Sequence, residues 1–256
     1  MVFEAEVLKV FALVMVRFTG LLIAAPILSS NTFPAIGKIA FAGLAAMVVT
    51  PTLPAQPGTL PDEMLAYGVL AIGELAIGLM MGFVMTLVFA AVQVAGQIMD
   101  MLSGFALVNV FNPALETQVP ILGFFLFVIA ALFLLVLDGH HLMIVGLVST
   151  FERVPLGGLA LDPQLLRDVS TLGRVMFYDA LLVAAPIAGA MLLTYASLGL
   201  LGRVVPQIHL IVVGFPVTIA FGLLLMAFLI GFYLHMLEDM FYRMFRDVSR
   251  MINLMS

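Results

Sequence analysis

Residues 93–120 read QVAGQIMDMLSGFALVNVFNPALETQVP, a partly polar stretch set between two long apolar runs. It carries Gln93, Gln97, Asp100, Asn109, Asn112, Glu116 and Gln118, and no Lys or Arg that could hold it at a lipid surface. Gly96, Gly104 and Pro113 argue against one uninterrupted helix through it. In hydrocarbon, non-helical backbone survives only where protein buries it or water wets it. At membrane depth, such a stretch belongs to a pathway, a gate or a partner interface.

The flanking sequence sets the solvent. Of 256 residues, 64% are hydrophobic and 10% charged, with a mean hydropathy of +1.23. Soluble domains run at about 45–50% apolar, so this is the composition of an integral membrane protein. With no cysteine, disulfides, thiolate metal ligands and a cysteine nucleophile are excluded. The net charge of -5 is scattered, with no basic patch for nucleic acid. The opening residues, MVFEAEVLKV, are acidic where a cleavable secretory signal would be basic, so the first apolar segment reads as a retained anchor. There are 21 Phe, 5 Tyr and no Trp, which leaves the interfacial aromatic belt thin. The 18 Met suit helix packing, or surfaces that repack against varied partners.

Six apolar segments stand out. The first runs from Leu8 to Leu28, contains Lys9 and Arg17, and ends in APILSS. The second, Ala35 to Leu53, is closed by the Pro-rich PTLPAQPGTLP. The third, Met64 to Ala95, exceeds the roughly 20 residues of one perpendicular span, so it must tilt, project or break. The fourth starts after Pro120, reaches DGHH and resumes as LMIVGLVSTF. The loop ERVPLGGLALDPQLLRDVSTLGR then places a boundary near residue 165. A final hairpin, Val175–Leu201 and Ile208–Leu237, turns at GRVVPQ and is expected to break or bend near Gly214 and Pro216. Residues 238–256 place Met240, Phe241, Met244, Phe245, Val248, Met251, Ile252 and Met255 at helical spacing, opposite Arg243, Arg246, Asp247 and Arg250. That pattern predicts an amphipathic helix on a membrane surface or a partner. With six full spans, the Lys and Arg distribution puts both termini in the cytoplasm.

Candidates for chemistry are few. Glu74 lies inside LAIGELAIGLMMGF and must face protein or water. Proton coupling is the sharp reading, and a neutral or hydrogen-bonded carboxyl at a helix contact is the favoured one. Gly78 and Gly82 form a GxxxG pair that would admit a neighbouring helix, and Gln93, Gln97 and Asp100 are grouped with Glu74 as expected buried polar or packing residues. Asp138, His140 and His141 lack an adjacent further ligand, so DGHH reads as a turn broken at Gly139. No hydrolase, metalloprotease or nucleotide motif appears, so the chain is not expected to be an enzyme or to hold a cofactor. A small-solute secondary transporter is the rival from another class, but no inverted repeat is visible to support it.

The order of landmarks resembles one family. APILS, PTLPA, GELAIGLMMGF, FAAVQVAGQIMD, GFALVNVFNP, VPIL, LFLLVLDGHH and GLLGRVVPQIHLIVVGFPVTI follow one another over about residues 8 to 237. They resemble the FliR family of the flagellar type III export apparatus, which has injectisome counterparts. The resemblance implies an all-α fold, a FliP-like part over residues 1–165 fused to a FliQ-like hairpin over 166–237. It implies a gate subunit in the bacterial inner membrane at the flagellar basal body, assembling with FliP-like and FliQ-like subunits near FlhB and FlhA and passing unfolded flagellar export substrates. By position, Gly104–Pro120 is similar to the loop that plugs the closed pore. Phe105, Val108, Val110 and Phe111 would seal it, Gly104 and Pro113 would set its bend, and Asn109 and Asn112 its local hydrogen bonds. AGQIMD would serve as its hinge. Arg203, Pro206 and Gln207 would lie in the hairpin loop that meets an FlhB segment. In the assembled gate several apparent spans would not cross lipid.

Overall fold

The computed structural model describes residues 2–29, 34–53, 60–105, 120–160, 162–205 and 210–255. Among them the order is α1 (Val2–Ala24), α2 (Ala35–Val49), a short 3-10 turn, α3 (Met64–Ser103), α4 (Ile121–Val136), α5 (Gly139–Arg153), α6 (Pro163–Val204) and α7 (Leu210–Asn253), with no strand. Five of these helices are long and apolar enough to cross a membrane, and α4 with α5, counted as one span, would make a sixth. The all-α, multipass reading holds for these residues.

The longest correction falls on the opening stretch. Helix α3 continues without a break through Gln93–Ser103, so AGQIMD is helix interior. Between Met64 and Ser103 there is no proline to interrupt the ladder. Gly96 is tolerated because another backbone needs its missing side chain, as shown below. Forty residues rising about 1.5 Å each span about 60 Å, twice the hydrocarbon thickness of about 30 Å. The helix therefore tilts or projects; it does not break. It stops at Gly104, whose φ of +86° is the left-handed conformation in which glycine ends helices.

The break between α4 and α5 falls at Asp138, not at Gly139. Asp138 takes the left-handed conformation (φ 53°), and its carbonyl accepts from the amides of His141 and Leu142. Aspartate tolerates this region better than most residues, and Gly139 is left as a buried first residue of α5. Helix α6 begins at Pro163, with Asp162 Oδ1 accepting the Gln164 amide, so the expected polar loop is helical from 163 onward. Helix α7 runs unbroken past Gly214 and Pro216 and includes residues 238–253.

Compactness divides the chain differently from a linear boundary near 165. One unit comprises Met1–Leu87, Leu135–Leu172 and Tyr242–Ser256; the other comprises Val88–Leu134 and Gly173–Phe241. In the first, α1 buries Leu13, Val14, Phe18, Leu21 and Leu22 at spacings of three and four, the period of one helix face. α2 leans on α1 and buries Ala42, Ala46 and Val49. The tail belongs to this unit: Met244, Val248, Met251, Ile252 and Met255 are all buried in it. Its apolar face is thus buried within the chain itself, where the sequence pattern pointed to a membrane surface or a partner. Arg250 pairs with Asp168 at 2.9 Å, Arg153 Nη1 donates to Asn253 Oδ1 at 2.6 Å, and the Ala160 amide donates to the Met255 carbonyl.

In the second unit, α4 buries Leu122, Leu126, Ala130 and Leu134, each four residues from the last. Phe89 of α3 stands edge-on to Phe127 of α4, centroids 5.6 Å apart, and 5.7 Å from Phe241 of α7.

Candidate functional site

The second unit holds the two feet of the 104–120 stretch. Pro120 precedes α4 and has no side chain to cap it, so the amides of that first turn need another acceptor. Asp100, three residues before the end of α3, supplies it. Its carboxylate accepts the Leu122 amide at 3.0 and 3.1 Å and the Gly123 amide at 3.3 Å. These are the second and third residues of α4, the two amides that an N-cap side chain normally serves. The negative charge also faces the positive end of the helix dipole.

Close approach makes this possible. A Cβ on Gly96 would fall on the backbone of Gly123, and a Cβ on Gly123 would come within 3.1 Å of Pro120. Tyr195 of α6 donates its hydroxyl to the Leu102 carbonyl at 2.7 Å. Ser103 is buried beside Gly222 of α7, where a Cβ would meet its Oγ at 2.7 Å, and Gly104 lies against Thr218 and Phe215. One end of the stretch is fixed by α6 and α7, and both ends are joined through Asp100.

Of the residues singled out for the plug, Gly104 is buried in this base and Phe105 is half-buried. Val108, Asn109, Val110, Phe111, Asn112 and Pro113 lie outside the described residues, as do Pro206 and Gln207. Arg203 is exposed in the last turn of α6, where its charge complements the helix dipole. Gln93 and Gln97, expected as buried packing residues, are exposed. Four residues apart, they share a face of α3 opposite Val92, Ala95, Gly96 and Met99, which take the core.

Removing the cap should be visible. Asp100→Ala strands two buried amides, and caps and unsatisfied donors are worth about 1–3 kcal/mol. The expected result is a clearly lower thermal midpoint of the purified chain, partly recovered in Asp100→Asn, which keeps an accepting oxygen. Equal midpoints for Ala and wild type would remove Asp100 from this role.

The first unit holds a buried charge cluster. Glu74 of α3 is 1% exposed and Arg17 of α1 is fully buried. Arg17 Nε donates to Glu74 Oε2, Nη1 to Thr150 Oγ1 at 2.8 Å, and Nη2 to the Val154 carbonyl at 3.1 Å. The second Glu74 oxygen accepts the Gly157 amide at 2.9 Å. The Phe151 ring lies 4.1 Å from the guanidinium carbon. Helices α1 and α3 come this close because Gly78 meets the α1 backbone at Arg17 and Gly20, and Gly82 meets it at Ala24 and Ala25. In sequence Arg17 is a charge within its apolar run, 57 residues from Glu74 and linked to it by no motif. The signal was present: two opposite charges embedded in apolar helices must find each other or water. Gly20 and Ala24, four apart on α1, are the matching small-residue pair.

Comparison with known proteins gives this geometry its family. The profile of the bacterial export proteins, family 1, matches residues 8–244. The chain belongs to that family. It is 31% identical over 239 residues to the flagellar biosynthetic protein FliR of Escherichia coli (strain K12), covering 93% of this chain and 91% of that one. It is 30% identical over 227 residues to the FliR of Bacillus subtilis (strain 168), covering 86% of each. The FliR of Pectobacterium carotovorum is 30% identical over 230 residues, 90% of this chain and 87% of that protein. The match takes in both the Asp100 base and the Arg17–Glu74 cluster.

Proposed function

We propose that this chain is a core, non-enzymatic subunit of the flagellar protein export gate in the bacterial inner membrane. It assembles with FliP-like and FliQ-like subunits, adjoins FlhB and FlhA, and passes unfolded flagellar substrates. Residues 104–120 contribute the plug, with Phe105, Val108, Val110 and Phe111 as its apolar seal. Arg203, Pro206 and Gln207 meet the FlhB-like partner. The division into a FliP-like part and a FliQ-like hairpin is one of ancestry along the chain, distinct from its division into compact units.

The observation that carries this reading is the capped base. Asp100 fastens the start of α4 to the end of α3, so the intervening residues span a fixed pair of anchors. A segment that yields to a passing chain without dismantling its helices needs such feet. The exposed amides of Gln93 and Gln97 add support, since on an apolar helix such groups face water or a partner more favourably than lipid.

The test is deletion of residues 106–112, which leaves Gly104, Asp100 and Leu122 in place. The expected result is a gate that still co-purifies with its FliP-like and FliQ-like partners but conducts small ions at rest in a planar bilayer. Unchanged resting conductance with normal assembly would overturn the plug. A homogeneous monomer that moves a small solute would overturn the gate reading in favour of a secondary transporter.

A further inference from the structure

Arg17 and Glu74 lie outside the capped base, and the plug reading makes no use of them. We propose that they are positioning residues that lock the turn Val154–Gly157 onto α1 and α3 as one rigid piece.

The turn itself poses the problem that the pair solves. It leaves α5 through Val154, whose carbonyl is one of the orphan acceptors at a helix end. It reverses at Gly157, which is left-handed at φ 75°. Among the described residues two local backbone bonds hold it, from the Val154 amide to the Thr150 carbonyl and from the Gly158 amide to the Pro155 carbonyl. The guanidinium takes the free carbonyl of Val154, and the carboxylate takes the free amide of Gly157. One ion pair thus satisfies an acceptor and a donor of the same turn while bridging α1 and α3. Three residues after Gly157, the Ala160 amide donates to the Met255 carbonyl.

The occupancy of the pair argues against proton traffic. Both Glu74 oxygens are engaged, Arg17 donates on all three of its nitrogens, and neither side chain reaches solvent. A proton carrier needs a route to water and an oxygen free to receive. A packing pair, in turn, would not need to reach a backbone carbonyl and a backbone amide on one turn. Lysine could not replace Arg17, because a single ammonium cannot serve the forked positions of Glu74, Thr150 and Val154 together.

The test is backbone hydrogen exchange over residues 154–160 in the full-length chain, compared among wild type, Glu74→Gln, Thr150→Val and the double variant Arg17→Met/Glu74→Leu. Glu74→Gln leaves a buried guanidinium unpaired and should lower the amount of chain in the membrane. Removing both charges should restore that amount, since a well-packed apolar pair often substitutes for a buried ionic one. The turn should nevertheless exchange about tenfold faster in the double variant, and measurably faster in Thr150→Val, while residues 88–103 keep wild-type rates. Wild-type exchange at the turn in the double variant would reduce the pair to packing and overturn the proposal. If the double variant does not accumulate, Thr150→Val decides, and wild-type exchange there overturns it equally. Glu74→Gln with normal abundance and normal exchange but lost export would identify a proton carrier and also overturn it.

Discussion

A chain ending at Phe241 is expected to disappear from the membrane fraction, although it keeps every apolar run that could form a span. The missing residues, 242–256, carry Met244, Val248, Met251, Ile252 and Met255, each buried in the first unit. Burying a side chain of this size contributes about 1.5–3 kcal/mol. Five of them together approach the whole net stability of a typical domain, about 5–15 kcal/mol. The polar side of the same segment should matter far less. Arg250 is largely exposed where it pairs with Asp168, and exposed pairs contribute about 0–1 kcal/mol. Arg250→Ala should therefore accumulate normally, while Met251→Ala with Ile252→Ala should follow the truncation part of the way. Membrane-fraction blots and protease resistance of the first unit check this. A truncated chain as abundant and as resistant as wild type would mean that the tail is an accessory.

The second large effect is expected from Gly78→Leu. A Cβ at this position would fall on the Arg17 carbonyl oxygen and stand 2.8 Å from the Leu21 amide nitrogen. Both obstacles are backbone, so no rotamer relieves them, and α1 must move away from α3. That separation forfeits dispersion along the Gly20–Gly78–Gly82 seam and pulls Arg17 off Glu74. Overpacking alone costs about 1–3 kcal/mol, and breaking a buried ion pair costs about 3–5 kcal/mol. The control lies on the same helix: a Cβ at Gly68 meets nothing within 4 Å, so Gly68→Leu should behave as wild type in the isolated chain. Thermal midpoints in detergent compare them directly. Equal midpoints for the two variants would show that the close seam is not needed.

Much of this architecture is legible from composition and order. Apolar runs of sufficient length locate α1, α2, α6 and α7, and landmark order carries the family because it samples nearly the whole chain. Local punctuation is the weaker guide. Gly96 looks like a breaker until the approach of Gly123 is known, since a glycine needed for contact and one needed for a turn are identical in sequence. Gln93 and Gln97 look like core polar groups in an apolar run, and only the helical phase set by Met99 and Ala95 turns them outward. Asp138 and Gly139 compete for the same break, and the smaller residue is the natural guess, yet aspartate can adopt the conformation while glycine packs. The Arg17–Glu74 pair is hidden in the sequence for a different reason. Its members are 57 residues apart, beyond any period, and only the demand that a buried charge be compensated connects them.

That separation also has a consequence in time. Chains are made at about 5–20 residues per second, so the 57 residues between the two partners represent about 3–11 s of synthesis. For that interval the first helix holds a guanidinium at its middle with no carboxylate to answer it, and such a charge is tolerated in lipid only at a cost of about 2.5–3.5 kcal/mol. Thr150, the next acceptor, lies 133 residues away and arrives later still. The nascent first helix is therefore a poor lipid tenant on its own. It is best kept beside the insertion machinery until the third helix emerges, which makes the order of synthesis part of how this protein is built.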